Sequence, residues 1–473
     1  MREGIGGGAE AAVLLSDGEP LASVLGAAAP GDWLALDAGV REAPWQRSVY
    51  FPEQRHVVPL PADLAQADES RLALALCHRD GRIREAAVTL AERYPGLLPL
   101  VVIRCADWAE PVRRRARHLL RQALDADAVV GLAALMLRVG RRDRGAFGVE
   151  LLSQVVSSAP RGRLDVLFTD PDRAVRRFAY RLAVEHGRLG PGELALVAGR
   201  DPDIVVQEVC STAALTALRD AGPLDEVIGP LLAARGSLAR SAGVTGLRRA
   251  GQPQRAEPFL ADRSALVRAC ARYVVRQHGG DPASWYRERC RSADGPAAAP
   301  GVVIGLAECG HRGDAELLRP LLAHPAGRVR ARAVAGLRAL DATDTRLLLP
   351  LLDDPAARVV RETALALLPY ATALPSDHLM RRTGQQWARH VRVAAFRLLT
   401  ARRGVVALRA AVALLDDPDV KLRIWAGQCV QRWQPAADEP LGDAEVGELL
   451  DRSRHLFSDY VLRRRKRQAG LPA

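Results

Sequence analysis

Apolar side chains return three and four positions apart along most of this chain. Leu317, Leu318, Leu321 and Leu322 cover one side of residues 314–325, and Val329, Ala333 and Leu337 fall four apart from residue 327 onward. That spacing is helical, whereas a strand would alternate polar and apolar positions. Between the two stretches, His324-Pro325 marks a corner, because proline suits a helix start but breaks a helix interior. The same order of helix, corner and helix is read in 347–368 and 411–430. Neither helix of such a pair can bury its apolar face alone, so the pairs are expected to stack.

With the corner residue as position zero, position five is aliphatic, position six is usually Arg and position nine is usually Ala. His78 opens one unit with Ile83, Arg84 and Ala87, and Asp107 the next with Val112, Arg113 and Ala116. Further units begin at Asp170, Asp201, a degenerate site near Ala233 with Leu238 and Ala242, Asp262, His324, Asp354, Gln386 and Asp417. The Asp354 unit has Val360 in the usual slot and Arg361 one place late. Two gaps of double length each accommodate one eroded unit, near Arg138 and near Asp294. The period is about thirty-one residues, which makes about twelve two-helix units.

The run Asp170-Pro171, Val175-Arg176 and Ala179, repeated at this period, resembles the HEAT-repeat family, in particular its short bacterial phycobilisome-lyase HEAT-like type. The resemblance covers about residues 65–435. It implies an all-α, right-handed α-solenoid whose second helices line a concave face and whose surface assembles partners. Some relatives are chromophore lyases, but the motif itself carries no such chemistry.

Three segments are expected: an N-terminal extension or cap over 1–62, the solenoid over 63–435, and a capping helix with a basic tail over 436–473. Residues 1–18 are rich in Gly and Ala and are expected to fray. Trp33, Trp45, Tyr50 and Phe51 gather in an aromatic-poor chain, either as a cap over the first repeat or as a small partner-binding element. The VVPLP stretch after them reads as an extended linker. Residues 443–470 read as one capping helix ending in Arg463, Arg464, Arg465, Lys466 and Arg467. Cations suit a helix C-terminus, and five in a row could also touch nucleic acid or membrane. Regular packing weakens around Arg141 and over 281–300, where Gly295, Pro296 and Pro300 disfavour one continuous helix. Trp285 and Tyr286 there either restore packing or present a contact.

The net charge of +12 suggests an anionic partner, but nearly all the basic residues are Arg, with Lys421 and Lys466 the only lysines and Asn absent. That skew matches coding bias in a GC-rich genome, which gives the charge modest weight. Seven Cys without CxxC pairs predict neither disulfide nor metal site, and Cys210 and Cys270 read as core filler. A long apolar segment and a secretory start are both lacking, so the expectation is a cytoplasmic protein without a transmembrane segment. No cofactor is expected, and the oligomeric state is left open.

The recurring charges read as structure. Asp107, Asp170, Asp201, Asp262, Asp354 and Asp417 are expected to cap the following helix. Arg113, Arg176, Arg268, Arg330, Arg392 and Arg423 are expected to reach a carboxylate or carbonyl in an adjacent layer. Catalytic groups need not recur in every layer, so no catalytic residue is assigned. Arginines off this ladder are better binding candidates: Arg114, Arg117, Arg121, Arg181, Arg272, Arg276, Arg338 and Arg397. Arg121, Arg276 and Arg338 each lie fourteen residues after their corner, a stripe interrupted by Glu92, Val184 and Leu215 in other units. Such a stripe could neutralise phosphates without reading sequence.

Trp108 beside Asp107 superficially suits a HEAT-like DNA glycosylase, but a corner position already accounts for that Asp. Gly-rich phosphate loops, HExxH and a nucleophile elbow are absent. The reading is a non-enzymatic scaffold or adaptor for a protein partner. The alternative is binding of DNA or RNA backbone, with the glycosylase behind both.

Overall fold

The computed structural model describes residues 7–26, 28–50, 60, 63–218, 224–292, 299–435 and 441–472; the side chains of 42–50, 161, 163 and 164 lie outside that description. Among the described residues the secondary structure is helical throughout, without strands. The chain forms two compact units, Met1–Ala239 and Arg240–Ala473. Each is an all-α stack of helix pairs, the arrangement of a helical solenoid.

In chain order the first unit holds α1 (Gly8–Ser16), α2 (Leu21–Leu25), α3 (Pro30–Tyr50), α4 (Glu69–Leu76), α5 (Gly81–Leu90), α6 (Leu98–Arg104) and α7 (Glu110–Ala123). It continues with α8 (Ala126–Val139), α9 (Ala146–Ser158), α10 (Arg161–Phe168), α11 (Arg173–Glu185), α12 (Pro191–Arg200), α13 (Ile204–Ala217) and α14 (Leu224–Leu232). Second helices pack on second helices, α5 on α7 and α11 on α13. In α7, Val112, Ala116, Leu119 and Leu120 are buried, a stripe at helical spacing that leaves Arg114 and Arg115 outward.

The start of the chain differs from expectation. Residues 8–16 form a helix that buries Ala11, Ala12 and Leu15 against α3. Its glycine serves close packing: a Cβ on Gly8 would sit 1.7 Å from the Ala35 carbonyl oxygen, so only glycine lets the two backbones meet. Trp33 is half-buried against the same core. Trp45 and Tyr50 side chains, Phe51 and most of the VVPLP stretch lie outside the description.

The second unit opens within α15 (Ser237–Arg249), from Arg240 on, and continues with α16 (Ala265–Gln277), α17 (Pro282–Arg291), α18 (Pro300–Cys309), α19 (Ala315–Leu318), α20 (Gly327–Ala339) and α21 (Thr345–Leu348). Then follow α22 (Ala357–Leu367), α23 (Ser376–Arg381), α24 (Arg389–Ala401), α25 (Gly404–Ala413), α26 (Val420–Arg432), α27 (Ala444–Arg452) and α28 (Asp459–Gln468). Helix α20 lies between α18 and α22 and buries Val329, Ala333 and Leu337, with Ala331, Val334, Ala335 and Gly336 closing its flanks.

First helices are shorter than the sequence suggests. The stretch expected as one helix over 314–325 breaks into α19 and a 3₁₀ turn over Pro320–Ala323, and the next layer repeats the break at Leu349–Asp353. Pro320 and Pro350 supply the reason, since neither has an N–H and each crowds the preceding turn. The expected single C-terminal helix is likewise two, α27 and α28, separated by a turn at Arg454–Leu456 and restarted by the Ser458 cap. Part of the basic tail is committed there: Lys466 lies 2.8 Å from Asp451, and Arg465 donates to the Gln431 carbonyl at 3.0 Å.

Tyr286 restores packing in the weak stretch. It is fully buried and its hydroxyl donates to the Leu260 carbonyl at 2.6 Å. Trp285 instead stacks under Arg289, 3.6 Å from ring centre to guanidinium. Asp294, Gly295 and Pro296 lie outside the described residues.

Candidate anion-binding groove and the arginine ladder

The Asp and His corners open on a side-chain turn, and several add a second at the helix cap. The position-zero side chain accepts the backbone N–H two residues on, as Asp107 does from Ala109 at 3.0 Å and Asp170 from Asp172 at 2.7 Å. Asp201, Asp262, Asp354 and Asp417 do the same with Asp203, Ser264, Ala356 and Asp419. His78 and His324 replace Asp because Nδ1 accepts at the same place, 3.0 Å in both. The helix cap is therefore the residue at position two, a shift from the expectation that the corner Asp itself caps. Asp80, Asp172, Asp203 and Asp419 fill that role with side-chain bonds to helix amides.

The Arg at position six grips two layers. Arg176 donates to its own corner carbonyl of Asp170 at 2.8 Å and to the next corner carboxylate, Asp201, at 3.2 Å. Arg330 holds the His324 carbonyl at 2.8 Å and both oxygens of Asp354 at 2.7 and 2.8 Å. Arg392 reaches Asp417 and the Thr383 carbonyl. Rungs lacking a following acid end differently. Arg113 stops at the Asp107 and Trp108 carbonyls, and Arg423 at the Asp417 carbonyl. Arg268 turns to Glu308, two helices further along. The degenerate unit is in register one residue later than its sequence suggests: with Ala234 as corner, Arg240 is the ladder residue and pairs with Asp262 at 2.9 and 3.0 Å.

The first corner joins a buried cluster. Asp107 accepts from Arg84 at 2.9 and 2.8 Å and from Arg104 at 3.0 Å, while Arg104 also holds Asp37 of α3. Burial alone would raise the Asp107 carboxyl, but the Arg84 bonds, the Arg104 charge and the Ala109 amide outweigh it and hold it below the usual carboxylate range. With its side chain 1% exposed, Asp107 has no access to a substrate, and Trp108 lies outside over Arg84. That geometry leaves the glycosylase reading without its carboxylate.

The arginines expected to bind are scattered in circumstance. Arg114 is 76% exposed and only loosely paired with Glu110. Arg117 donates to the Cys105 and Arg144 carbonyls, and Arg121 lies over Phe147. Arg181 is exposed at the rim of a groove of about 780 Å³ lined by Val184, Leu189, Leu194, Val205 and Val209. Arg272 is 11% exposed and holds Glu308 at 2.6 Å. Arg276 is exposed, Arg338 reaches Glu362 at 3.5 Å, and Arg397 is half-buried. Within the second unit α18 separates the helices of Arg276 and Arg338, so these two do not form an unbroken row.

A different set converges. A groove of about 380 Å³ is lined by Arg263, Arg268, Arg328, Arg332, Arg358 and Arg361, with Glu362 the one acid among its walls. Its floor is Ala299, Pro300, Gly301, Ile304 and Ala331. Arg328 and Arg332 stand at positions four and eight of one unit, and Arg358 at position four of the next, so i,i+4 spacing on neighbouring second helices aims them together. Sequence reasoning passed over Arg328 and Arg358 because it followed position fourteen; the recurrence of Arg at position four in adjacent units was the available signal. Gly327 makes the approach possible, since a Cβ there would meet that of Ala356 at 2.7 Å.

Among the described residues there is no group of three or more His, Cys, Asp or Glu able to hold a metal. Burial pushes the Cys77 thiol up to about 12 and the Cys105 thiol up to about 11, far from a reactive thiolate. No helix among the described residues is long and apolar enough to cross a membrane.

No family model matches this chain, and no curated protein does. It is similar to solved helical-repeat structures at low identity. Kap95p, in a structure concerning its binding to RanGDP, is 13% identical, with 96% of this chain and 70% of that one covered and a TM-score of 0.43. Importin beta is 12% identical, covering 94% of this chain and 62% of its own, with a TM-score of 0.32. Kap121p is 13% identical over 98% of this chain and 53% of its own, with a TM-score of 0.22. The chain thus spans less than two thirds of importin beta and of Kap121p.

Proposed function

We propose that this protein is a non-enzymatic HEAT-like scaffold, of the short bacterial phycobilisome-lyase-like type, that holds a protein partner in the cytoplasm. The observation that carries this reading is a division of labour among its side chains. The repeated charges are spent between layers, as in the Arg84–Asp107, Arg176–Asp201 and Arg330–Asp354 pairs. Exposed large apolar residues do not recur from unit to unit: Trp108, Leu266, Tyr273 and Ile424 each stand at a different position of their units, and only Ile204 and Val420 share one. A repeated frame with nonrepeating exposed groups suits recognition, in which the frame sets spacing and a few anchors select the ligand.

The charge of +12 favours a second reading, contact with a nucleic-acid backbone. Affinity capture from the native lysate, with and without nuclease and across a salt series, separates the two. A discrete protein retained after nuclease and salt supports the scaffold. Recovery dominated by nucleic acid, and lost steeply with salt, overturns it.

A further inference from the structure

The arginine groove between α16, α18, α20 and α22 has features that point to its ligand. Among the described residues Arg328, Arg332 and Arg358 have no hydrogen-bond or ion-pair partner, and all three are exposed. Glu362 is already shared, 3.0 Å from Arg361 and 3.5 Å from Arg338. The groove is therefore cationic with its one acid committed.

The helix starts around it add to this field. Where Asp80, Asp172, Asp203 and Asp419 cap other second helices, α18, α20 and α22 begin at Ala299, Ala326 and Ala356, and no side chain caps them. A carboxylate at those positions would neutralise the arginines, as Asp203 neutralises Arg177 at 2.9 and 2.8 Å. The uncapped start of α18, Ala299–Gly301, lines the groove itself and adds its positive end to the guanidinium groups.

Extent decides between ligand classes. The Asp262 and Gln386 units carry Leu266 and His390 at position four, and Cys270 and Ala394 at position eight. Arg268 is held by Glu308 and Arg361 by Glu362, so the partnerless guanidinium groups of Arg328, Arg332 and Arg358 come from two layers. That is a short track for a nucleic-acid backbone, which gains affinity by neutralising many successive phosphates. The floor of Pro300, Ile304 and Ala331 is apolar and suits the methylenes of Glu side chains, while planar guanidinium forks match carboxylates.

We infer that this groove binds a short acidic segment of a protein partner, its Asp or Glu carboxylates held by Arg328, Arg332 and Arg358. The inference rests on the scaffold reading and gives that partner a chemistry.

The test is fluorescence anisotropy on the full chain with three labelled probes: an oligo-glutamate peptide, its oligo-glutamine counterpart and a single-stranded DNA of matched charge. The groove variant combines Arg328→Gln, Arg332→Gln and Arg358→Gln. A control removes equal charge elsewhere by Arg82→Gln, Arg115→Gln and Arg173→Gln, three exposed arginines. Thermal unfolding of both is expected to match the parent, since all six side chains are exposed or partly so. The glutamate peptide alone among the peptides should bind, with affinity about tenfold weaker in the groove variant and within about twofold in the control. Glu362→Gln should tighten it. No peptide binding, equal loss in both variants, or groove-dependent binding that favours DNA over peptide would each overturn the inference. Capture of a partner from lysate by the groove variant at parental yield would remove this site and leave the scaffold standing. Groove-dependent peptide binding with no partner captured would do the reverse.

Discussion

Arg84 and Asp107 face each other through two bonds of 2.9 and 2.8 Å, with side chains 0% and 1% exposed. The pair ties the second helix α5 to the corner ahead of α7, and through Arg104 it connects α3 to the array. A buried ion pair of this kind costs desolvation to form, but losing one partner strands the other. Asp107→Ala should therefore destabilise by about 3–5 kcal/mol in chemical denaturation. Replacing Arg84 alone should cost less, because Arg104 still neutralises Asp107. Equal losses would remove Arg104 from the account.

The same carboxylate predicts acid behaviour. Its folded pKa lies below the ordinary carboxylate value, so its stabilisation is present above about pH 3.9 and is lost as pH falls through the folded value. Asp107→Asn should flatten the acid limb of stability against pH. An unchanged limb would assign acid unfolding to other carboxylates.

His78 supplies a gentler pH response. Burial first, and then the Arg84 and Arg79 charges against Asp80, hold its pKa below the ordinary histidine value. The unfolded chain then takes up the proton first, so this stabilisation is full above about pH 6.5 and is lost as pH falls toward the folded value. Nδ1 also accepts the Asp80 amide, which a second proton would forbid. His78→Asp keeps the acceptor and should remove this part of the loss, read as a smaller drop in melting temperature between about pH 7 and pH 5.

Gly305 leaves room for the Tyr286 ring. A Cβ there would stand 2.4 Å from the ring edge, so Gly305→Ala should destabilise by about 1–3 kcal/mol. Tyr286→Leu should lose the bond to Leu260 and much ring packing, yet make the Gly305→Ala step nearly free. Additive losses in the double variant would show that the contact relaxes elsewhere.

Helix α17 buries only Pro282, Tyr286 and Cys290, whereas α20 buries both its core face and its flanks. Hydrogen exchange should find amides of 282–291 opening more readily than those of 327–339. Equal strong protection would refute this.

Much of the architecture was legible because it is local. Position five, position nine and the proline corner are set by the pitch of one helix and the geometry of one turn, so Val329, Ala333 and His324-Pro325 announce a buried face and a corner without knowledge of neighbours. The breaks at Pro320 and Pro350 were readable by the same rule. The helical start at Gly8–Ser16 was not, because it depends on Gly8 meeting the Ala35 backbone, far along the chain.

What the chain determined alone was its period and the order of helix, corner and helix. Tertiary structure decided where each charge ends. Arg330 finds Asp354, Arg113 finds only carbonyls, Arg268 finds Glu308, and Arg272 is drawn to the same Glu308. Arg328, Arg332 and Arg358, unremarkable in their own segments, become one groove when α20 and α22 lie side by side. Helical periodicity says which way a side chain points from its own axis; only stacking places another helix, with its carboxylates or its arginines, in that direction.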